Sequence, residues 1–348
     1  MSLREDIFSK GVFFNLPTSR AHYVSACLME GLSDLGIVVH ANVENPEVAN
    51  NSPVLRPLRE ALVPRGEMRP GAYGYFVTDI SDLHPFEIYD IANDSAFPMA
   101  FLSNNDDSTF TALPTGIPFF VVHESFHVSR GGDRYPLGFG LPRHLAAEPP
   151  ALPSFGQRRA AVLNNFGFSD RQDVRWALEL SYVRRLERRL PILRAWPPQR
   201  MAPDEYVQAL KTCALCLAYG GTFKVNMWDE EAFRDNPAVD ACYRGMAFAR
   251  QPVVMRWDSW RFWEALAHGC VPVHLDFEKY GFRLPVMPEK WRHYVPIDME
   301  DINGSVDGLL ANLDRLEEIS EAGHRWAFEH YGPAACARRF LDVVAPLA

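Results

Sequence analysis

The chain has 348 residues, 47% hydrophobic and 23% charged, a globular composition with room for two ordinary domains, which excludes a disordered or fibrous protein. No run of about 18 uninterrupted apolar residues occurs, and Arg4, Glu5 and Asp6 stand where a secretory leader needs a basic end and an apolar core, so the expectation is a cytoplasmic protein with no transmembrane segment. The formal charge of −9 is uneven, with 10 Lys and Arg against 18 Asp and Glu in residues 1–150 and 25 against 26 in the rest, which argues against a general nucleic-acid binder.

The first forty residues read as a β-α-β unit: a strand at Gly11–Asn15, a helix over about Ala21–Leu35 with Val24, Leu28, Leu32 and Leu35 at helical spacing, a stop at Gly36, and a strand at Ile37–Asn42. Short apolar runs at Tyr73–Ile80, Met99–Ser103 and Pro118–His123, each followed by a polar loop, suit buried parallel strands. The loop Ser125–Gly140, rich in glycine and aromatics, is expected to fold over a ligand. Prolines 142, 149, 150 and 153 interrupt the chain between Leu141 and Gln157, which marks a domain linker. The pattern then restarts, with strands at Ala160–Asn164, Ala214–Tyr219 and Val271–Leu275 and helices over about Arg171–Leu190, Asp204–Lys211 and Ser259–His268. The expected domains are 1–150, 151–332 and a terminal helix within 333–348.

Two features carry little chemistry. Cys213 and Cys216 form a CxxC, but strand alternation sends their sulfurs to opposite faces and no second pair exists, so neither a metal nor a redox role is expected. The helix at 171–190 is expected to bury Trp176, Leu180, Val183, Leu186 and Leu190 and to leave Arg184, Arg185, Arg188 and Arg189 as a solvated face.

The informative segment is Trp257–Leu275, WDSWRFWEALAHGCVPVHL, a helix capped by Asp258 or Ser259 that runs into Gly269, a cysteine, a proline and a strand. At 100° per residue Phe262, Trp263, Leu266 and Ala267 share one side, and Arg261, Glu264 and His268 the other. Ser259-x-Arg261-x-x-Glu264-Ala265-x-x-x-Gly269-Cys270-x-Pro272-Val273 resembles the signature of exostosin-like glycosyltransferases, a likeness that extends weakly over about residues 205–345.

That resemblance implies an α/β chain of the GT-B type, two facing Rossmann-like domains with Pro333–Val344 crossing back onto the N-terminal one. It implies a hexosyl- or pentosyltransferase, of the kind used in polysaccharide biosynthesis, that takes a UDP- or GDP-sugar and a glycan or small hydroxylated acceptor. In such enzymes the glutamate matched by Glu264 receives the ribose hydroxyls, a task suited to a carboxylate that accepts two hydrogen bonds. Arg256, Arg261 and the helix end at Ser259 are the candidates for the diphosphate. Gly220 and Gly221 resemble the place where the family's chain turns around the nucleotide, although Ala218-Tyr219 departs from its pattern, and Lys224 is a further phosphate candidate.

Retaining relatives often carry a second glutamate where this chain has Arg256, so inversion by direct displacement is expected, with a general base in the N-terminal domain. The candidates are His22 at the start of the first helix, Asp79 ending YFVTD, Asp107 after FLSNN, and His123 ending FFVVH, all at strand ends where open α/β sheets place ligands. No DxD-type motif, GxGxxG fingerprint or P-loop is present, so neither a metal nor a separate cofactor is expected. Peripheral contact with a membrane is compatible with the sequence. So are two rival readings: a nucleotide-sugar epimerase or hydrolase on the same fold, and a non-catalytic nucleotide- or glycan-binding module.

Overall fold

Strands that alternate two apolar side-chain sets form a sheet buried on both faces, and two such sheets organise this chain. The computed structural model describes residues 2–17, 20–44, 47–48, 65–81, 83, 85–94, 97–104, 116–126, 133–146, 154–167, 173–194, 201–224 and 253–346. A short helix α1 (Leu3–Lys10), closed by a capping box between Ser2 and Glu5, precedes the first sheet. That sheet comprises β1 (Val12–Asn15), β3 (Val39–Ala41), β5 (Tyr75–Asp79), β6 (Met99–Ser103), β7 (Phe119–Val121) and β8 (Arg134–Pro136). All its pairs are parallel, in the order β3-β1-β5-β6-β7-β8. A minor pair, β2 (Arg20–Ala21) with β4 (Glu47–Val48), lies beside it. Helices α2 (Tyr23–Asp34), α3 (Pro85–Asp94) and α4 (Arg143–Ala146) complete this half.

The second sheet runs β10-β9-β11-β14-β15, again all parallel, from β9 (Arg159–Asn164), β10 (Ile192–Arg194), β11 (Cys213–Leu217), β14 (Val271–Leu275) and β15 (Val295–Ile297). An antiparallel hairpin, β12 (Thr222–Lys224) and β13 (Val253–Met255), projects from it. Its helices are α5, built from Asp173–Leu178, a π-turn at Glu179–Val183 and Arg184–Leu186, then α6 (Pro203–Thr212), α7 (Trp260–Ala267), α8 (Ile302–Ala311) and α9 (Leu316–Tyr331).

In each sheet the strand that opens the unit lies inside the order, so its successors leave in opposite directions. A crevice opens at such a switch point, beyond the carboxyl ends of the strands. The first lies between β1 and β5, the second between β9 and β11.

The terminal helix α10 (Pro333–Val344) starts at Pro333 after Gly332 and packs on α2 in the first half, as expected for a crossing helix. Gly31 permits the close approach, since a Cβ there would stand 1.9 Å from the Pro333 carbonyl oxygen. Phe340 reaches the rings of Tyr75 and Phe120, and one apolar cluster runs from Ile7 through both halves to Val344.

Three expectations need correction. The second half of the loop Ser125–Gly140 is an edge strand, β8, followed by a buried segment in which Gly138 and Gly140 adopt positive φ against Trp263, Leu284, Tyr331 and Cys336, while residues 127–132 lie outside the described residues. Cys213 and Cys216 lie in one apolar cluster with Cys270, while the adjacent Ala214 and Leu215 both join the other cluster, so simple alternation does not hold at the start of β11, where its pairing with β9 shifts register across an extra β9 residue. The buried face of α5 is Val174, Leu178, Tyr182, Val183, Leu186 and Leu190, leaving Trp176 and Leu180 exposed. A four-residue spacing drifts by about 40° per step in an α-helix, and the π-turn takes up the difference. On the polar side of α7, Glu264 and His268 are both buried.

Candidate functional site

The first crevice holds an imidazole and a carboxylate. His22 is the N-cap residue of α2, just past β1, and Asp79 is the last residue of β5, so the switch point brings two residues distant in sequence to 3.1 Å, Nδ1 to Oδ2. Asp79 is fully buried, while the His22 side chain is 15% exposed and so reaches the crevice. The carboxylate is tied down: Ser25 Oγ donates to Oδ2 at 2.7 Å, and Ser81 donates from N and Oγ to Oδ1 at 3.0 and 2.5 Å. Burial raises the Asp79 carboxyl, but the bonds from His22, Ser81 and Ser25 outweigh it and hold its pKa below the ordinary value. An ionised carboxylate only accepts, so His22 donates from Nδ1, and in its neutral form the lone pair is on Nε2.

His123 plays a different part. It sits at the end of β7, 8% exposed, where Nδ1 accepts the Asp258 amide at 3.2 Å. Burial and the charge of Arg256 bring its pKa down to about 3. Asp258 answers from the second half, its carboxylate accepting from Phe139 N at 3.0 Å and from Ser259 N and Trp263 Nε1 at 2.9 Å. Burial outweighs these donors and lifts its pKa to about 7. Trp257 Nε1 to the Glu124 carbonyl, at 3.2 Å, adds to this bracket between the halves. Asp107 lies outside the described residues.

The second crevice holds cations. Arg175, near the start of α5, donates to the Gly167 carbonyl at 2.9 Å and lies 4.7 Å from the centre of the Phe166 ring. Arg261, in the first turn of α7, donates to the Asn165 carbonyl at 2.8 Å and lies 5.5 Å from the same ring. Neither pairs with a carboxylate among the described residues. Burial and the neighbouring Arg261 charge bring the Arg175 pKa down to about 9, which marks a pair of charges lacking a counter-anion. The sequence reading did not single out Arg175; its place just after the first strand of the second half was the available signal.

Gly220 and Gly221 form the floor. A Cβ on Gly220 would stand 3.1 Å from the Arg256 carbonyl oxygen, and one on Gly221, whose φ is 122°, 2.7 Å from Val254 and 2.8 Å from the Met255 carbonyl oxygen. Arg256 itself adopts a left-handed φ of 53° between β13 and α7. Ser259 caps α7 in position only: its hydroxyl is buried and has no hydrogen-bond partner among the described residues. Glu264 is 2% exposed, with Oε2 accepting from Tyr206 OH at 2.8 Å and Oε1 left without a partner among the described residues. Lys224 ends β12; its side chain lies outside the described residues.

The two crevices meet at the starts of their helices. Tyr23, the first residue of α2, packs on Trp260, the first residue of α7, with ring centres 4.6 Å apart. His22 and Arg261 flank this contact in sequence, so an imidazole and a cationic cluster stand on either side of one contact between the halves.

No protein-family model matches the chain, and no curated protein matches it in sequence. Solved structures do match in fold. A glycosyltransferase from Rickettsia africae ESF-5 superposes with a TM-score of 0.51 at 9% identity, over 97% of this chain and 98% of that one. Anabaena Alr3699/HepE, solved in complex with UDP-glucose, superposes with a TM-score of 0.50 at 10% identity, over 97% of this chain and all of the other, 100%. The shared architecture is the GT-B arrangement of two facing Rossmann-like halves.

Proposed function

We propose that the chain is a glycosyltransferase that moves a sugar from a nucleoside diphosphate donor to a hydroxyl acceptor with inversion and without a metal ion. The observation that carries this reading is the convergence of the two switch points at the Tyr23–Trp260 contact, one supplying a carboxylate-oriented imidazole and the other two arginines that pair with no carboxylate among the described residues. The GT-B fold and the exostosin-like segment at Ser259–Val273 support it, and UDP is the first nucleotide to test because a neighbour of this fold was solved with UDP-glucose.

In this mechanism His22 Nε2 takes the proton of the acceptor hydroxyl as its oxygen attacks the anomeric carbon. The bond from that carbon to the phosphate oxygen breaks, and the nucleoside diphosphate leaves with the electron pair. Asp79 fixes the imidazole tautomer and stabilises the imidazolium that forms. Arg175, Arg261 and the first amides of α7 stabilise the departing charge, which is the task a divalent cation performs in other transferases. Arg256 adds to this cationic wall and leaves no second glutamate to shield the opposite face of the sugar. Glu264 receives a ribose hydroxyl on Oε1, which requires local opening of the buried pocket it shares with Tyr206.

The test separates binding from chemistry. UDP should raise the melting temperature equally with Mg²⁺ and with EDTA, since a ligand at 100 times its Kd adds about 2.7 kcal/mol. His22→Ala and Asp79→Asn should keep that shift and lower turnover of a UDP-sugar by about 10² to 10⁴. Absence of a shift with any nucleoside diphosphate, or full turnover in His22→Ala, would sink the assignment. Donor consumption that gives a rearranged sugar with no acceptor present would favour the epimerase reading.

A further inference from the structure

Helix α5 shows solvent a surface that the transfer reaction does not use. Trp176 is 44% exposed and Leu180 57%, one turn apart, with Ala177 exposed beside them. Beyond this ridge Arg184, Arg185, Arg188 and Arg189 are all exposed, and none pairs with a carboxylate among the described residues; Arg185 gives Nη1 to the Ser181 carbonyl at 3.0 Å. The acidic side chains Glu179 and Glu187 both pair with Arg194, so together they offset only one of the four exposed arginine charges. The stretch Asp173–Arg194 holds six arginines against three carboxylates in a chain whose formal net charge is −9.

Two physical facts restrict the occupant. Exposed tryptophan and leucine side by side with arginines make up the face of a helix that lies in a lipid interface, where the aliphatic arginine stems pack on apolar groups while the guanidinium heads meet anionic headgroups. A soluble polyanion would use the arginines and gain nothing from Trp176 and Leu180. The π-turn keeps this arrangement in place: it commits Val174, Leu178, Tyr182, Leu186 and Leu190 to the core, so the ridge faces outward.

The position of the helix relative to the cleft fits a role in delivery. Val174 N donates to the Gly221 carbonyl at 3.3 Å, and Arg175, in sequence next to Trp176, reaches the cationic cluster. The exposed ridge therefore starts at the rim of the second crevice.

We propose that Trp176, Leu180 and the arginines 184, 185, 188 and 189 form a docking surface for a bilayer containing anionic lipid. The proposal concerns binding alone and stands or falls independently of the transferase reading. The experiment is flotation of the full chain with phosphatidylcholine vesicles and with vesicles of phosphatidylcholine and phosphatidylglycerol, in low and in physiological salt. Binding should favour the anionic vesicles at least tenfold and weaken with salt. Arg184→Glu with Arg188→Glu should abolish it, and Trp176→Ser with Leu180→Ser should weaken it about tenfold, with melting temperatures unchanged because all four side chains are exposed. The proposal is overturned by the absence of binding to anionic vesicles. It is equally overturned by vesicle binding that survives the Trp176→Ser and Leu180→Ser changes, or by inorganic polyphosphate binding as tightly as the vesicles with dependence on the arginines alone.

Discussion

Asp258 and His123, joined through the Asp258 amide, carry opposite pH signatures that a pair of variants should expose. Asp258 is 5% exposed and its pKa lies at about 7, against 3.8 when the chain is unfolded. Between those values the native state holds the extra proton, so this group lowers stability as pH rises, by about 1.4 kcal/mol per pH unit and on the order of 4 kcal/mol in total. His123, 8% exposed, has a pKa of about 3 against 6.5 unfolded, so there the unfolded state holds the extra proton and stability rises with pH across that window. From about pH 4 to 6.5 the two slopes oppose each other and nearly cancel in the wild-type protein. Arg256 is the fixed charge beside them.

Asp258→Asn removes the falling slope. It also adds a constant cost, because one oxygen that accepts from Phe139, Ser259 or Trp263 becomes a donor facing donors. The informative quantity is therefore the change with pH of the stability difference from wild type, from thermal or urea unfolding at pH 4, 5, 6, 7 and 8. That difference should move in favour of the variant by several kcal/mol between pH 4 and 7 and level off above. His123→Gln should move the other way up to about pH 6.5. A wild-type-minus-variant difference that stays flat from pH 4 to 8 would show that burial does not hold the Asp258 proton, and would refute the reasoning.

Arg175→Ala should weaken nucleoside diphosphate binding by about 2 kcal/mol, roughly 30-fold in Kd by titration calorimetry, and Arg175→Lys should recover little of it because lysine lacks the planar fork that stacks on Phe166. Unchanged affinity would remove Arg175 from the site. Gly221→Ala should cost about 2 kcal/mol, since φ is 122° and the new Cβ meets the Met255 carbonyl oxygen at 2.8 Å. Gly36→Ala, at φ 79° with no heavy atom within 4 Å, should cost about half as much; equal melting temperatures for the two variants would contradict the packing argument.

Much of the architecture was legible because local signals agreed with one another. The apolar runs at Tyr73–Ile80, Met99–Ser103 and Ala214–Tyr219 appear as buried parallel strands, and Gly36 stands just beyond helix α2. Local pattern failed where a single backbone irregularity changes the phase of all that follows. The π-turn at Glu179–Val183 exchanged Trp176 and Leu180 for Val174 and Leu178 as core residues, and Cys213 and Cys216 share one apolar cluster where the β9–β11 pairing is irregular. No residue type announces either event.

The site divides along the same line. Residue chemistry at strand ends and helix starts selected His22 and Asp79, whereas Arg261 and Glu264 were selected by the resemblance of the Ser259–Val273 segment to a family signature. Only the tertiary structure decided which of them meet. Strand order, set by how the sheets pack, made β1 and β5 neighbours and so gave His22 its carboxylate; it gathered Arg175 and Arg261 around Phe166. It also turned His123 into a bracket between the halves and enclosed Glu264. Burial and the distance between side chains far apart in the chain are properties of the packed whole, and the local spacing of residues carries no record of them.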